Sequence, residues 1–208
     1  MSPKPKKRAH LAQHLSLTDQ HFTPPPFIEA ARQVLGGIDL DVASCEAANR
    51  IVRAERFFTR EDNALRRDLE WRGRVWCNPP GTKDGRESRA KAFWQKLVAE
   101  WHAGRTTSAI FLGFSLEILQ TTQSEAVGAI PLDFPFCIPR ERIPFLKGSG
   151  KKQEPLFGTA ADEVHGYEVQ TQPTHANVFV LLPPMGLEGA AVEKSFVRVF
   201  SRFGKVRT

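Results

Sequence analysis

The sequence predicts an α/β fold with a mostly parallel central sheet, and three observations carry that prediction. Strand-like segments at 38–42, 74–77 and 108–114 alternate with helical patterns at 27–35 and 90–101, the succession expected of β-α-β units. The segment 108–114 is almost continuously apolar, as a strand buried on both faces must be. The chain has 208 residues, 41% of them hydrophobic, enough for one domain with a sizeable core.

The elements follow in order. Residues 1–20 read as a basic, flexible arm, and 21–208 as a single domain. Thr23-Pro24-Pro25-Pro26 makes a rigid extended entry to a helix over 27–35, where Phe27, Ile28, Ala31, Val34 and Leu35 recur at helical spacing. Pro26 suits the first turn and Gly36-Gly37 stops the helix. Ile38-Asp39-Leu40-Asp41-Val42 alternates apolar and acidic residues, a strand pattern. Ser44 then caps a short helix running to residue 52, with Glu46 in its first turn. Residues 54–59 and 74–77 supply two further strands. Over 90–101, Ala90, Phe93, Trp94, Leu97, Val98 and Trp101 form the apolar stripe of an amphipathic helix. Past the 108–114 strand, the Pro- and Phe-rich stretch 129–145 contributes strands around 130–132 and 142–145, and 147–172 is a polar loop. A strand at 176–182 stops at Pro183-Pro184, and a helix over 190–203, ended by Gly204, closes the chain.

Composition narrows the function classes. No stretch reaches the ~18 consecutive apolar residues of a membrane helix, and no apolar segment follows the basic residues 1–8, which excludes a signal peptide and places the chain in the cytoplasm. Cys45, Cys77 and Cys137 are scattered and odd in number, and the six histidines form no ligand pair, so neither a disulfide framework nor a metal site is expected. A formal charge of +6 suits a polyanionic partner. The charge gathers in the arm and at Lys83, Arg86, Arg89 and Lys91, with Arg140, Arg142, Lys151 and Lys152 in the irregular region 134–172, where it can meet phosphates or base edges.

Those first cations follow the most informative motif of the chain, Asn78-Pro79-Pro80-Gly81, set directly behind the apolar run Val75-Trp76-Cys77. An exocyclic amine on a nucleobase is a poor nucleophile because its lone pair is delocalised into the ring. An Asn side-chain oxygen and a backbone carbonyl that accept its two hydrogens favour a tetrahedral nitrogen and aim the lone pair, a matter of positioning and electrostatics. The prolines fix φ and remove two donors, leaving the carbonyls of Asn78 and Pro79 to face a substrate. Alone, Asn-Pro is also an ordinary turn opener.

Its company narrows the choice. His21-Phe22-Thr23-Pro24-Pro25, 38–44, Glu61-Asp62-Asn63-Ala64-Leu65 and 75–80, in that order, resemble the phage-type, Dam-like DNA N6-adenine methyltransferases; 47–52, 109–114, 142–145, 177–182 and 199–206 are similar to them too. The resemblance implies a Rossmann-like fold that binds S-adenosylmethionine and DNA and moves a methyl group to adenine N6. It places Thr23 and Pro24 at the methionine end of the cofactor, makes Asp39, Asp41, Ala43 and Ser44 the first cofactor motif, and gives Asp62 the adenine amino group. Asp39 and Asp41 share a strand face, where acids suit the cationic amino end or the ribose hydroxyls of the cofactor; as a pair they can equally cap the next helix, and Asp62 can equally cap its own turn.

One residue departs from the family pattern. Gly81 stands where relatives carry an aromatic ring that stacks on the extruded base, and such stacking contributes ~1–3 kcal/mol per base. Phe93, Trp94 and Phe114 are aromatic candidates to replace it, although each sits on an apolar stripe or strand, where a core role is expected; alternatively, Gly81 frees the loop by tolerating positive φ. Three alternatives stay open: a DNA- or cofactor-binding relative without catalysis, methylation of cytosine N4, and methylation of RNA or protein.

Overall fold

The computed structural model describes residues 21–81, 83–84, 87–123, 128–148, 167–169 and 175–208. The chain divides into two compact units, one of Met1–Pro24 with Pro144–Pro173, the other of Pro25–Ile143 with Thr174–Thr208. In chain order the elements are β1 (His21–Phe22), α1 (Pro25–Leu35), β2 (Leu40–Asp41), α2 (Glu46–Val52), β3 (Arg56–Phe57), β4 (Gly73–Cys77), β5 (Lys83–Asp84), β6 (Glu87–Ser88), α3 (Arg89–His102), β7 (Thr106–Gly113), α4 (Glu117–Thr121), a 3-10 turn (Pro131–Asp133), β8 (Phe136–Pro139), β9 (Leu146–Gly148), β10 (Tyr167–Val169), β11 (Val178–Leu182), α5 (Glu188–Phe200) and β12 (Gly204–Arg207).

The larger unit is built on a seven-stranded sheet in the order β12-β8-β11-β7-β4-β2-β3. It is mixed, which corrects the expectation of a mostly parallel sheet. The pairs β3/β2, β2/β4 and β4/β7 are parallel, whereas β7/β11, β11/β8 and β8/β12 are antiparallel. The first half follows the β-α-β logic, with α2 between β2 and β3 and α3 between β4 and β7. Between β8 and β11 the described residues hold no helix, and β11 pairs antiparallel with β8.

Both faces of the sheet are covered. Trp94 of α3 meets Phe111 of β7 edge-on, with ring centroids 5.2 Å apart, in a core that includes Leu40, Val75, Leu97 and Val180. On the opposite face Phe179 of β11 stacks on Phe27 of α1 at 5.5 Å and meets Phe200 of α5 at 5.1 Å. Two covered faces account for the apolar continuity of β7, whose residues 108–113 are all buried.

Several elements differ locally from the sequence expectation. The cap of α2 is Cys45, whose Sγ accepts the Ala48 N–H at 3.4 Å. Ser44 lies one residue before the cap position, its N–H bonded to Phe58 O at 2.8 Å and its hydroxyl to Asp41. Residues 130–132 fall in the 3-10 turn around Pro131, which has no N–H to give a ladder; the strand is β8, a few residues on. Residues 142–145 lie outside any strand, just before β9. Gly204 opens β12 instead of ending the last helix, which finishes at Phe200.

In the smaller unit, β9 pairs antiparallel with both β1 and β10. Phe22 meets Tyr167 edge-on at 5.4 Å, and His21 meets Phe145 at 6.1 Å. Strand β10 and the last two residues of β9 fall within 147–172, expected as one long loop; the arm, residues 1–20, lies outside the described residues. No helix among the described residues is long and apolar enough to cross a membrane.

Candidate active site

Parallel pairing sets Asp41 opposite Trp76 and Cys77 opposite Phe111, so β2, β4 and β7 end on one edge of the sheet. The chain leaves that edge at Asp41, at Asn78 and at Phe114. Ligands of such sheets bind beyond the carboxyl ends of the strands, which makes this edge the candidate site.

Asn78 is half-buried and Pro79 buried, while Pro80 and Gly81 are exposed, so the turn stands at the rim and not beneath packed side chains. Gly81 does not adopt the left-handed conformation that favours glycine. The expectation that it supplies backbone freedom through positive φ is therefore corrected. A Cβ at residue 81 would instead lie 3.2 Å from the Phe114 ring. The aromatic candidates now separate: Phe93 and Trp94 are buried, Trp94 between Phe111 and Phe134, whereas Phe114 is half-buried at the rim.

The two acids of the 38–42 segment have different surroundings. Asp41 is 2% exposed and its carboxyl is pushed up to about 6, chiefly because burial penalises its charge; hydrogen bonds from the Ser44 hydroxyl and the Ala43 N–H, the latter at 3.2 Å, pull the other way. Asp39 is engaged by Arg74. Its carboxylate accepts from the Arg74 guanidinium at Nε and Nη2 and from the Arg74 N–H at 2.7 Å, and these bonds hold its carboxyl below the usual range. Gly73 beside it has φ +86°, and a Cβ there would fall 2.4 Å from Asp39 Oδ2. Asp39 thus clamps the start of β4, at the end of the strand away from Asn78.

Asp62 accepts the Thr59 N–H at 2.7 Å and the Thr59 hydroxyl at 2.9 Å, both on Oδ2, and these bonds lower its carboxyl. It closes its own turn and is exposed. Thr23 and Pro24 belong to the smaller unit, directly after β1, where Thr23 is buried.

Of the basic residues behind the tetrapeptide, Lys83 lies in a small antiparallel hairpin, paired to Ser88 with Asp84 paired to Glu87, and Arg89 and Lys91 lie in the first turn of α3, into which it leads. Arg86, Lys151 and Lys152 lie outside the described residues. Arg140 follows β8 and its guanidinium donates to the carbonyls of Arg202 at 3.0 Å and Ser201 at 3.1 Å, closing the end of α5. Arg142 is exposed.

Asn177 is a residue that pattern reading left without a role. Buried at the entry to β11, it donates from Nδ2 to Phe114 O at 2.7 Å and accepts the Ile143 N–H at 3.1 Å. The only hint in the sequence was an amide directly ahead of an otherwise apolar strand. Among the described residues no cluster of His, Cys, Asp and Glu could hold a metal ion.

Comparison with known proteins adds one finding. Residues 11–102 match the family model of the DNA N-6-adenine-methyltransferases (Dam), which supports the resemblance over the segment that carries all four of its leading motifs. No curated protein and no solved structure matches the chain.

Proposed function

We propose, from the premise that residues 11–102 carry the pattern of the Dam family of DNA N6-adenine methyltransferases, that this protein methylates N6 of adenine in DNA from S-adenosylmethionine. The observation that carries the reading is a half-buried Asn78 on a proline-stiffened turn at the rim of the sheet, one strand away from the buried acid Asp41.

The residues present fit the cofactor. A carboxyl group kept out of water is costly to ionise, and the cationic amino end of S-adenosylmethionine, or its ribose hydroxyls, would offset that cost at Asp41. The N–H of Ala43 and the hydroxyl of Ser44 orient this carboxylate. Asp39, bound to Arg74, has a structural duty instead. When bound, the cofactor supplies a methyl group on a sulfonium centre.

Asn78 Oδ1 and the Pro79 carbonyl accept the two amino hydrogens of the flipped adenine and turn the nitrogen lone pair outward. So held, the nitrogen would be presented to the methyl group that the cofactor would supply, and the amino proton it then sheds would leave to solvent. Pro80 stiffens the turn so that the acceptors need no reorganisation. Lys83, Arg86, Arg89 and Arg142 meet DNA phosphates around it.

The test is transfer of labelled methyl from S-adenosylmethionine to unmethylated DNA. Wild type is expected to label adenine N6, and Asn78→Ala to lose roughly 10²–10³ of the rate, as for removal of a positioned catalytic hydrogen-bonding group. DNA retardation without transfer by the wild type would overturn the reading in favour of a binding protein.

A further inference from the structure

We infer that Phe114 supplies the aromatic surface on which the extruded base stacks, and that residue 81 is glycine because a side chain there would crowd that ring. The inference rests on the methyltransferase reading and deepens it by naming the residue that captures the base.

Gly81 needs an explanation other than backbone conformation, since its φ lies outside the left-handed region. Space provides one. A Cβ built on Gly81 would sit 3.2 Å from Phe114 Cδ1, a few tenths of an ångström too close, and in van der Waals contact with Cγ at 3.5 Å and Cε1 at 3.6 Å, so the ring already fills the space beside it. The ring of Phe114 therefore lies beside the fourth residue of the Asn-Pro-Pro-Gly turn, where a side chain of residue 81 would begin.

The ring is well placed to serve. Phe114 follows the last residue of β7, the parallel neighbour of β4, so both chains reach the same rim. Its carbonyl accepts from Asn177 Nδ2 at 2.7 Å, and two residues on the Leu116 N–H donates to Ala176 O at 3.0 Å. The exposed His175 lies 4.9 Å away, centroid to centroid, with the planes inclined at 55°. A half-buried ring, pinned by its backbone and flanked by a second exposed ring, is a pre-organised stacking platform.

The test is a reciprocal exchange in the full-length protein, read as kcat/KM for methyl transfer to unmethylated DNA, with cofactor affinity and melting temperature measured on every variant. Phe114→Leu keeps the side-chain bulk and loses the π face; it is expected to fall roughly ten- to hundredfold with cofactor affinity unchanged. Gly81→Tyr is expected to lose activity by collision with Phe114, and Gly81→Tyr with Phe114→Ala to regain at least tenfold over Phe114→Ala alone. An active wild type matched by Phe114→Leu, or a double variant no better than Phe114→Ala, overturns this inference and leaves the methyltransferase reading standing. A wild type that transfers no methyl group overturns both.

Discussion

Asp41 shows how one residue couples stability to ligand chemistry. Its carboxyl titrates near 6 in the folded protein against 3.8 when exposed, so between those values the folded state holds one proton more than the unfolded state. Stability accordingly falls as pH rises through this window, and above it the buried charge costs about 3 kcal/mol. Asp41→Asn keeps an acceptor for the Ala43 N–H without the charge. Thermal melts should place the variant above wild type at pH 7.5 and level with it at pH 3.5, while calorimetry shows cofactor binding lost. Identical pH profiles for the two proteins would show that Asp41 is not the buried acid described. Asp39, two residues earlier on the same alternating strand, is indistinguishable by pattern; what separates the pair is Arg74, thirty-five residues away, and sequence spacing does not announce that contact.

At the scale of elements, α3 does more than cover the sheet. Lys96 sends its ammonium to the carbonyls of Ala64 and Leu69, each at 2.7 Å, and of Arg66, and lies 5.3 Å from the Trp71 ring. It thereby secures the loop that leads from Asp62 to β4. Lys96→Met removes the shared donor from three carbonyls, and urea unfolding should show a loss of about 2 kcal/mol with an unchanged slope. A loss below about 0.5 kcal/mol, the scale of an ordinary surface change, would mean that the loop holds itself. The same scale marks the limit of sequence reading. Helices α1, α3 and α5 and strands β4, β7 and β11 were legible because helical or apolar periodicity extends over several residues. Strand β8 was misplaced because Pro and Phe dominate 129–145 without alternation, and strand direction depends on whether a crossover intervenes. In the site, Asn78 and Asp41 were legible as motifs; the ring beside Gly81 was not, because Phe114 belongs to an apolar run and only the parallel register of β4 and β7 brings the two together.

For the whole molecule, the net charge of +6 and the cations Lys83, Arg86, Arg89 and Lys91 behind the turn lead the proposed function to expect DNA binding that depends steeply on salt. Replacing Lys83 and Arg86 together by Ala should lower the slope of log affinity against log salt concentration by about 2, with little change in which sequences are bound. An unchanged slope in a filter-binding titration would remove these two residues from the DNA surface.

The place of β11 between β7 and β8 has a consequence for synthesis. When the ribosome has finished residue 113, one long side of the most apolar strand still waits for residues 178–182, and those emerge only some seconds later at ~5–20 residues per second. Until then the nascent chain carries an open hydrophobic edge, so the tail of the polypeptide is what shields the motif-bearing part from sticking to its neighbours.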